Sequence, residues 1–273
     1  MATDEKTNTF ATRLWLALCV LLALAVRSHQ LGGQSLWWDE SLSLHRAQLP
    51  LQEILANRID LTDGAVTVAT TDNHPPLYFL VLAATVRALG TSDFSLRFPS
   101  LAFGVLLIPL LFVVGRRLFD EHSGRFAALV GALSPMYLWY SQEARMYTMA
   151  PLLGLLSFYA LLRFLDPQSE RRRQWAVLWL AATAAMLLTH YLTALILVVE
   201  VLIVLLTAAQ HTRIWRWAWP IGLATLGAVG VGAYALSVAP PASVQTGFSF
   251  VSLPILLRDV LNSFSLGLSV NVD

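Results

Sequence analysis

Residues 77–89 read LYFLVLAATVRAL, and whether this run crosses a membrane decides on which side every polar cluster of the chain lies. The surrounding composition makes a membrane the right frame. Hydrophobic residues make up 56% of the chain and charged ones 13%, against about a quarter charged in soluble domains, and the mean hydropathy is +0.62. Apolar runs occupy residues 10–26, 98–114, 126–140, 146–165, 175–189, 191–209 and 217–238. Most are near the ~17 to 25 residues that a span needs, and they total about seven. The 77–89 run is shorter, covering roughly 20 Å at about 1.5 Å per residue against a ~30 Å hydrocarbon core. It reads as a juxtamembrane or re-entrant helix.

The arginines test that choice. With the N-terminus inside and 77–89 not crossing, the interior loops collect Lys6, Arg13, Arg116, Arg117, Arg125, Arg163, Arg171, Arg172, Arg173, Arg213 and Arg216, as positively charged cytoplasmic loops require. If the run crossed, GRRLFDEHSGR (115–125) and LDPQSERRR (165–173) would both lie outside. The non-crossing reading puts Asp39, Glu40, Asp60, Asp63, Asp72, His74, Asp93, Arg97, Glu143, Arg145 and His190 together on the exterior side.

The fold expected is an all-α membrane protein, a polytopic bundle with exterior juxtamembrane helices. Residues 1–9 form a cytoplasmic N-terminus, 10–238 the transmembrane domain including an exterior loop over 27–97, and 239–273 an exterior segment. The 10–26 run also has features of a cleaved signal peptide, and an uncleaved anchor is the preferred reading. Leu51, Ile54, Leu55 and Ile59 recur at helical spacing behind Pro50, as do Leu253, Leu256, Leu257, Val260, Leu261 and Phe264 behind Ser252 and Pro254, predicting two interfacial amphipathic helices. The net charge of +1 and the lack of a basic, aromatic-interleaved stretch exclude a nucleic-acid partner. Cys19 is the single cysteine, so no internal disulfide forms.

Three exterior motifs carry chemistry. WWDES (37–41) sets Asp39 and Glu40 against an aromatic pair. Read plainly, it is a solvated helix start beside interfacial tryptophans; read functionally, the tryptophans fix the depth at which one carboxylate meets a lipid-linked substrate. Neighbouring side chains diverge, so one acid faces the reaction and the other orients it, binds substrate or ligates a metal. In NHPP (73–76) the diproline precedes a helix start whose N–H groups suit a phosphate, beside His74. SPMYLWYSQEARMYT (134–148) packs Tyr140, Gln142, Glu143, Arg145 and Tyr147 into a tight exterior turn. Glu143 and Arg145 there either neutralise each other within an aromatic belt, or Arg145, with Arg97, pairs with phosphate oxygens. His190 and Tyr191 form a further exterior turn. Glu200, inside LILVVEVLIV (195–204), is expected to be a protonated helix-packing residue or the partner of a cation on a neighbouring helix.

WWDES, NHPPLYFLVL (73–82), SLRFPS (95–100) and GRRLFDEHSGRFAALVGALSPMYLWYSQEARMYTM (115–149), in that order, resemble the dolichyl-phosphate-mannose protein mannosyltransferase-like family of the GT-C glycosyltransferase superfamily, a group that includes the bacterial enzyme adding aminoarabinose to lipid A. The resemblance runs over about residues 13–200. It implies an integral inner-membrane glycosyltransferase with its site facing the exterior or periplasm. The donor would be a polyprenyl-phosphate-linked sugar and the acceptor a hydroxyl on a protein or glycolipid. By the same resemblance Asp39 is the general base with Glu40 beside it, displacement is in line with inversion, and His74, Arg97 and Arg145 stabilise the departing phosphate. The Asp39 carboxylate and an Arg97 or Arg145 guanidinium are then expected about 6 to 12 Å apart in one cavity. No cofactor is identified; a divalent metal is compatible with these residues and required by none of them. Family members usually run through eleven or more spans, whereas this sequence stops at Asp273, so it is expected to be a fragment or a shortened member. A transporter would show a charged pathway or repeated broken helices, which the sequence lacks; a non-catalytic relative would share the topology and dispense with the acids.

The topology is open to direct test. In a Cys19→Ser background, a cysteine at Gln142 is expected to react with an impermeant maleimide from outside the cell, and one at Gln168 only after permeabilisation. The reverse pattern would invert the placement of every candidate residue.

Overall fold

A computed structural model of the chain describes residues 2–56, 60–63, 66–69 and 74–210, together with 254, 255, 257, 258, 260 and 261. The described elements, in chain order, are α1 (Ala2–Ser28), α2 (Trp38–Gln48), α3 (Leu51–Ala56), β1 (Asp60–Asp63), β2 (Val66–Ala69), α4 (Leu77–Leu89), α5 (Asp93–Leu118), α6 (Glu121–Leu133), α7 (Pro135–Ser141), α8 (Met149–Leu165), α9 (Arg172–Leu187), a 3₁₀ turn (Tyr191–Thr193) and α10 (Ala194–Gln210). They separate into two compact units. The first comprises Met1–His45, Leu82–Leu152 and Phe248–Asp273, and the second Arg46–Val81 and Leu153–Gly247.

The first unit is built on α1, α5 and α6, whose facing side chains Cys19, Ala23, Ile108, Phe112, Ala128 and Ala132 form a buried core. Polar chemistry sets the helix ends. Ser92 caps α5 through its hydroxyl, which accepts the Ser95 N–H at 3.2 Å, and Asp120 caps α6 by accepting the Ser123 N–H at 2.7 Å. Arg116 and Arg117 close α5 in its last turn, where the helix dipole favours cations. The tight α5–α6 hairpin between them depends on glycine. A Cβ on Gly124 would lie 2.6 Å from the Phe112 carbonyl oxygen and 2.9 Å from the Arg116 nitrogen, both backbone atoms.

At the opposite end of α6 a buried arginine does the capping. Arg27, in the last turn of α1, donates to the carbonyls of Ala132 at 2.8 Å and Gly131 at 2.9 Å, and through Nε to Ser141 Oγ at 3.1 Å. These are among the last carbonyls of α6, which lack intrahelical partners. Gln142 returns the favour, its Nε2 donating to the carbonyls of Arg27 at 3.1 Å and His29 at 2.9 Å. Gly104 on α5 leaves room for this junction: a Cβ there would fall 2.2 Å from Ser141 Oγ.

The second unit packs Ala160, Leu161, Phe164, Ala176, Trp179 and Val204, from α8, α9 and α10, into a separate core. Glu200 is fully buried beside it. Its carboxyl accepts from Ser157 at 2.7 Å and Trp179 Nε1 at 2.9 Å, with Thr183 at 3.5 Å. Of the two sequence expectations for Glu200, the helix-packing one matches these hydroxyl and indole partners; among the described residues no cation faces it. Leu77 N–H donates to the Leu188 carbonyl at 2.9 Å, holding the start of α4.

Several expectations need correction. Residues 126–140, read as one span, belong to two helices, because Ser134 precedes Pro135 and is held extended (ψ 121°) where it ends α6 and caps α7. The fold is helical as expected, with one short antiparallel β-hairpin added, Asp60 opposite Ala69 and Asp63 opposite Val66. The helix foreseen from Leu51 stops at Ala56, and residues 57–59 lie outside the described ones. So does the 217–238 run, and the C-terminal amphipathic helix is described only at six helical, exposed positions. α4 coincides with the doubtful 77–89 run and stays short. By length and apolarity, two helical segments suffice to cross a bilayer, Phe10–Ser28 and Asp93–Leu118, while Leu77–Leu89, Met149–Leu165 and Tyr191–Thr207 are apolar but shorter.

Because both atoms under Gly124 are backbone, neither can swing aside. Gly124→Ala is expected to destabilise the protein by about 1–3 kcal/mol, read as a lowered unfolding midpoint in detergent. Gly90→Asn, at a φ of +84° with nothing within 4 Å of its Cβ position, is the comparison expected to cost less, since Asn tolerates that conformation. Equal loss in the two variants would contradict the packing account.

Candidate active site

WWDES becomes the beginning of α2, with Asp39 and Glu40 in its first turn, where a helix N-terminus favours negative charge. Successive helical residues point about 100° apart, and the two acids separate accordingly. The Glu40 side chain is 1% exposed and that of Asp39 34%. Glu40 meets Arg97 in a two-pronged ion pair, Nε to Oε1 at 2.8 Å and Nη2 to Oε2 at 2.7 Å. Its Oε1 also accepts the Ala144 N–H at 2.8 Å. Arg97 uses its other N–H groups on the carbonyls of Leu31 and Gln34, both at 2.9 Å, and Ser35 at 3.4 Å. All five guanidinium donors are thereby occupied. An arginine so bound reaches a phosphate only by giving up one of these bonds, so its geometry is that of a structural tie.

The Ala144 bond matters because Ala144 sits in the SQEAR turn. Residues 142–148 are stitched to α5 as well: Ser100 Oγ donates to the Arg145 carbonyl and Thr148 Oγ1 to the Ser100 carbonyl, each at 2.9 Å. Arg145 then reaches back to α2. Its Nη1 donates to Ser43 Oγ at 3.2 Å, and its Nη2 lies 4.0 Å from Asp39 Oδ2. The carboxylate and guanidinium expected 6 to 12 Å apart are thus in contact distance of an ion pair.

Glu143 behaves differently from both neighbours. It is half-buried, and its carboxyl accepts from Trp139 Nε1 at 2.5 Å. Burial pushes its pKa up to about 7, the charges of Glu40 and Asp39 adding to the rise while the Trp139 bond and Arg145 oppose it. Tyr140 and Tyr147 pair with ring centroids 4.6 Å apart, and the Arg145 guanidinium lies 6.0 Å from the Tyr147 centroid. Gln142 is committed to capping α1, as described above. The first unit therefore brings together Asp39, Glu40, Arg97, Tyr140, Gln142, Glu143, Arg145 and Tyr147.

His74 and His190 belong to the second unit, which pairs their rings at 5.5 Å between centroids. His190 Nδ1 accepts the Leu192 N–H at 3.1 Å, which leaves Nε2 as the protonated nitrogen of the neutral ring. The segment carrying His74 is held by Arg46, whose Nη1 donates to the His74 carbonyl at 2.9 Å and Nη2 to the Ile54 carbonyl at 3.1 Å, with its guanidinium 3.9 Å from the Phe79 ring centroid. Neither Arg27 nor Arg46 was singled out from sequence. The available signal was an arginine at the end of an apolar helix and one on the inward side of an amphipathic helix. Among the described residues no three of His, Cys, Asp and Glu converge as metal ligands.

Residues 73–234 match the family described as dolichyl-phosphate-mannose-protein mannosyltransferase. Among solved structures, ArnT from Cupriavidus metallidurans in the apo state matches with a TM-score of 0.66 and 20% identity over 93% of this chain and 49% of that one. ArnT from the same organism bound to undecaprenyl phosphate matches with a TM-score of 0.56 and 18% identity over 93% of this chain and 44% of that one. The fold is therefore that of ArnT, of which the chain spans about half the length. No curated protein sequence matched.

Removing one member of a buried ion pair strands the other charge. Glu40→Gln is expected to destabilise by about 3–5 kcal/mol, and the double variant Glu40→Gln, Arg97→Met by less than the sum of the singles, measured by denaturation of the purified protein. Strict additivity would show that the pair does not hold α2 to α5.

Proposed function

We propose, from the premise that this chain belongs to the dolichyl-phosphate-mannose-protein mannosyltransferase family, that it is an integral-membrane glycosyltransferase acting at the outer face, moving a sugar from a polyprenyl phosphate to an acceptor hydroxyl on a protein or glycolipid. The observation that carries this reading is the lattice that joins WWDES to the SQEAR turn. Glu40 and Arg97 take up the structural load, which leaves Asp39 part-exposed beside the Arg145 guanidinium. An acid and a cation held at one end of an otherwise apolar unit are the two groups an in-line displacement from a phosphate needs. The fold shared with ArnT, one solved structure of which is bound to undecaprenyl phosphate, supports a polyprenyl phosphate as the carrier.

In this mechanism the acceptor oxygen attacks the anomeric carbon on the face opposite the lipid phosphate, so configuration inverts. The C–O bond to phosphate breaks with its electron pair, and polyprenyl phosphate leaves. Arg145, whose guanidinium lies beside the part-exposed Asp39, supplies positive charge on the side of that developing anion. Arg97 acts by positioning, since its donors are occupied within the protein. The Tyr140–Tyr147 pair offers an aromatic surface for the sugar. Seven or so spans, an inner-membrane location and an exterior site complete the reading, and the arginine distribution supports the exterior placement of the site.

Reconstituted in vesicles, the chain is expected to bind undecaprenyl phosphate and to release labelled sugar from undecaprenyl-phosphoryl mannose, with water as a slow acceptor. Asp39→Asn is expected to lower that release by ~10²-fold or more while lipid binding persists. A chain that neither binds the lipid nor turns over any polyprenyl-phosphoryl hexose would refute the reading. An undiminished rate in Asp39→Asn would remove Asp39 from it.

A further inference from the structure

Asp39 and Arg145 attract each other without closing. Arg145 Nη2 lies 4.0 Å from Asp39 Oδ2, within ion-pair range but beyond the roughly 2.7–3.2 Å of an N–H···O hydrogen bond. Among the described residues no hydrogen bond reaches the Asp39 carboxylate; the bonds at this residue go to its backbone carbonyl, from Ser43 Oγ at 2.9 Å and Arg145 Nη1 at 3.4 Å. Opposite charges this near ordinarily settle into a shorter, charge-assisted bond, so a third group has to hold the guanidinium off. Ser43, one helical turn after Asp39 on α2 and fully buried, is placed to do so. A hydroxyl has one proton to donate and two lone pairs. The Asp39 carbonyl can only accept and a guanidinium can only donate, so the Ser43 proton goes to the carbonyl and Arg145 Nη1 binds a Ser43 lone pair at 3.2 Å. The guanidinium is planar and rigid; once Nη1 is anchored, the advance of Nη2 toward the carboxylate is limited. Ser41 makes the same kind of back-bond, to the Trp37 carbonyl at 3.1 Å, but it is exposed and meets no arginine among the described residues.

Resting on the glycosyltransferase reading above, we propose that Ser43 is a positioning residue of the reaction: it anchors Arg145 so that the guanidinium stays beside Asp39 without hydrogen-bonding its carboxylate. Two requirements meet here. The base needs a carboxylate oxygen open to the acceptor hydroxyl, and the departing phosphate needs a cation nearby. A closed Asp39–Arg145 pair would serve neither, because each group would be occupied by the other. The backbone of Arg145 is already fixed, its carbonyl accepting from Ser100 Oγ at 2.9 Å and its N–H donating to the Glu143 carbonyl at 2.8 Å. What remains to be set is the guanidinium end, and Ser43 sets it from α2. Without the Ser43 hydroxyl, Nη1 loses a buried acceptor, and the guanidinium can make up the loss by moving the remaining distance to the carboxylate.

The test compares the unsubstituted chain with Ser43→Ala, Ser41→Ala, Asp39→Asn and the double variant Ser43→Ala, Asp39→Asn in vesicles. Release of labelled sugar from undecaprenyl-phosphoryl mannose and binding of undecaprenyl phosphate are measured for each. Ser43→Ala is expected to lower kcat by ~10- to 10²-fold, with KM for the donor and lipid binding within about twofold. Ser41→Ala is expected to keep the rate. In the Asp39→Asn background there is no carboxylate to close upon, so adding Ser43→Ala should lower the rate by less than about threefold. Equal fold losses in the two backgrounds are what a merely structural serine gives, and they overturn the proposal, as does an undiminished rate in Ser43→Ala. A second measurement does not need turnover: the distance from the Asp39 carboxyl carbon to the Arg145 guanidinium nitrogens, by solid-state NMR of labelled protein, is expected to shorten in Ser43→Ala. An unchanged distance overturns the proposal even where the rate falls, and this distance decides if the unsubstituted chain binds the lipid without turnover. If Ser43→Ala does not fold, Ser43→Cys, close in size and a weak hydrogen-bond acceptor, replaces it with the same expectations. Loss of both binding and turnover in the unsubstituted chain refutes the glycosyltransferase reading and the positioning role with it, whereas turnover that Ser43→Ala leaves unchanged refutes the positioning role alone.

Discussion

A carboxylate that is 1% exposed has to be neutralised where it stands, and the first unit is arranged around meeting that demand for Glu40. Arg97 supplies the charge, and its remaining donors gather the carbonyls of Leu31, Gln34 and Ser35, so one ion pair fixes the path of the chain between α1 and α2. The second lone pair on Glu40 Oε1 recruits Ala144 and with it the SQEAR turn. Sequence segments about 100 residues apart are registered by a single side chain. What remains polar and reachable at that end, Asp39 and Glu143, is what this framework does not need for itself.

The same logic recurs at the helix ends. Apolar helices bury their sides readily, but their terminal carbonyls demand donors. Arg27 meets that demand for α6 and Gln142 for α1, so the polar turn is fastened below as well as above. Two of the residues most exposed to functional interpretation, Arg97 and Gln142, are in this sense parts of the frame. Charged and amide groups near a site are not thereby groups of the site.

Much of this was legible in the sequence. The brevity of 77–89 is a local signal, and α4, α5 and α10 lie close to where the apolar runs put them. The WWDES and SQEAR motifs were recognisable as a pair, and the divergence of Asp39 from Glu40 follows from helical geometry alone. What was not legible depends on contacts between distant segments. Nothing local says that Arg97 will have all five donors occupied, or that Asp39 will lie 4.0 Å from Arg145. The 126–140 run was misread because its hydropathy is continuous across Ser134–Pro135, while the break there is a backbone effect to which an apolarity profile is blind. Arg27 and Arg46 were passed over because an arginine bound mainly to carbonyls leaves no complementary acid in the sequence to advertise it.

Arg27 also constrains how the protein is made. It lies in the last turn of α1, yet its acceptors at Gly131 and Ala132 lie 104 and 105 residues later, and Ser141 lies 114 later. A guanidinium without partners is costly in hydrocarbon and stays at the headgroup level. Until α6 is synthesised, then, α1 has its charged end in water and can settle to its final position only when the later carbonyls arrive. Within this unit the charged end of α1 thus finds its partners only once α6 and α7 are in place.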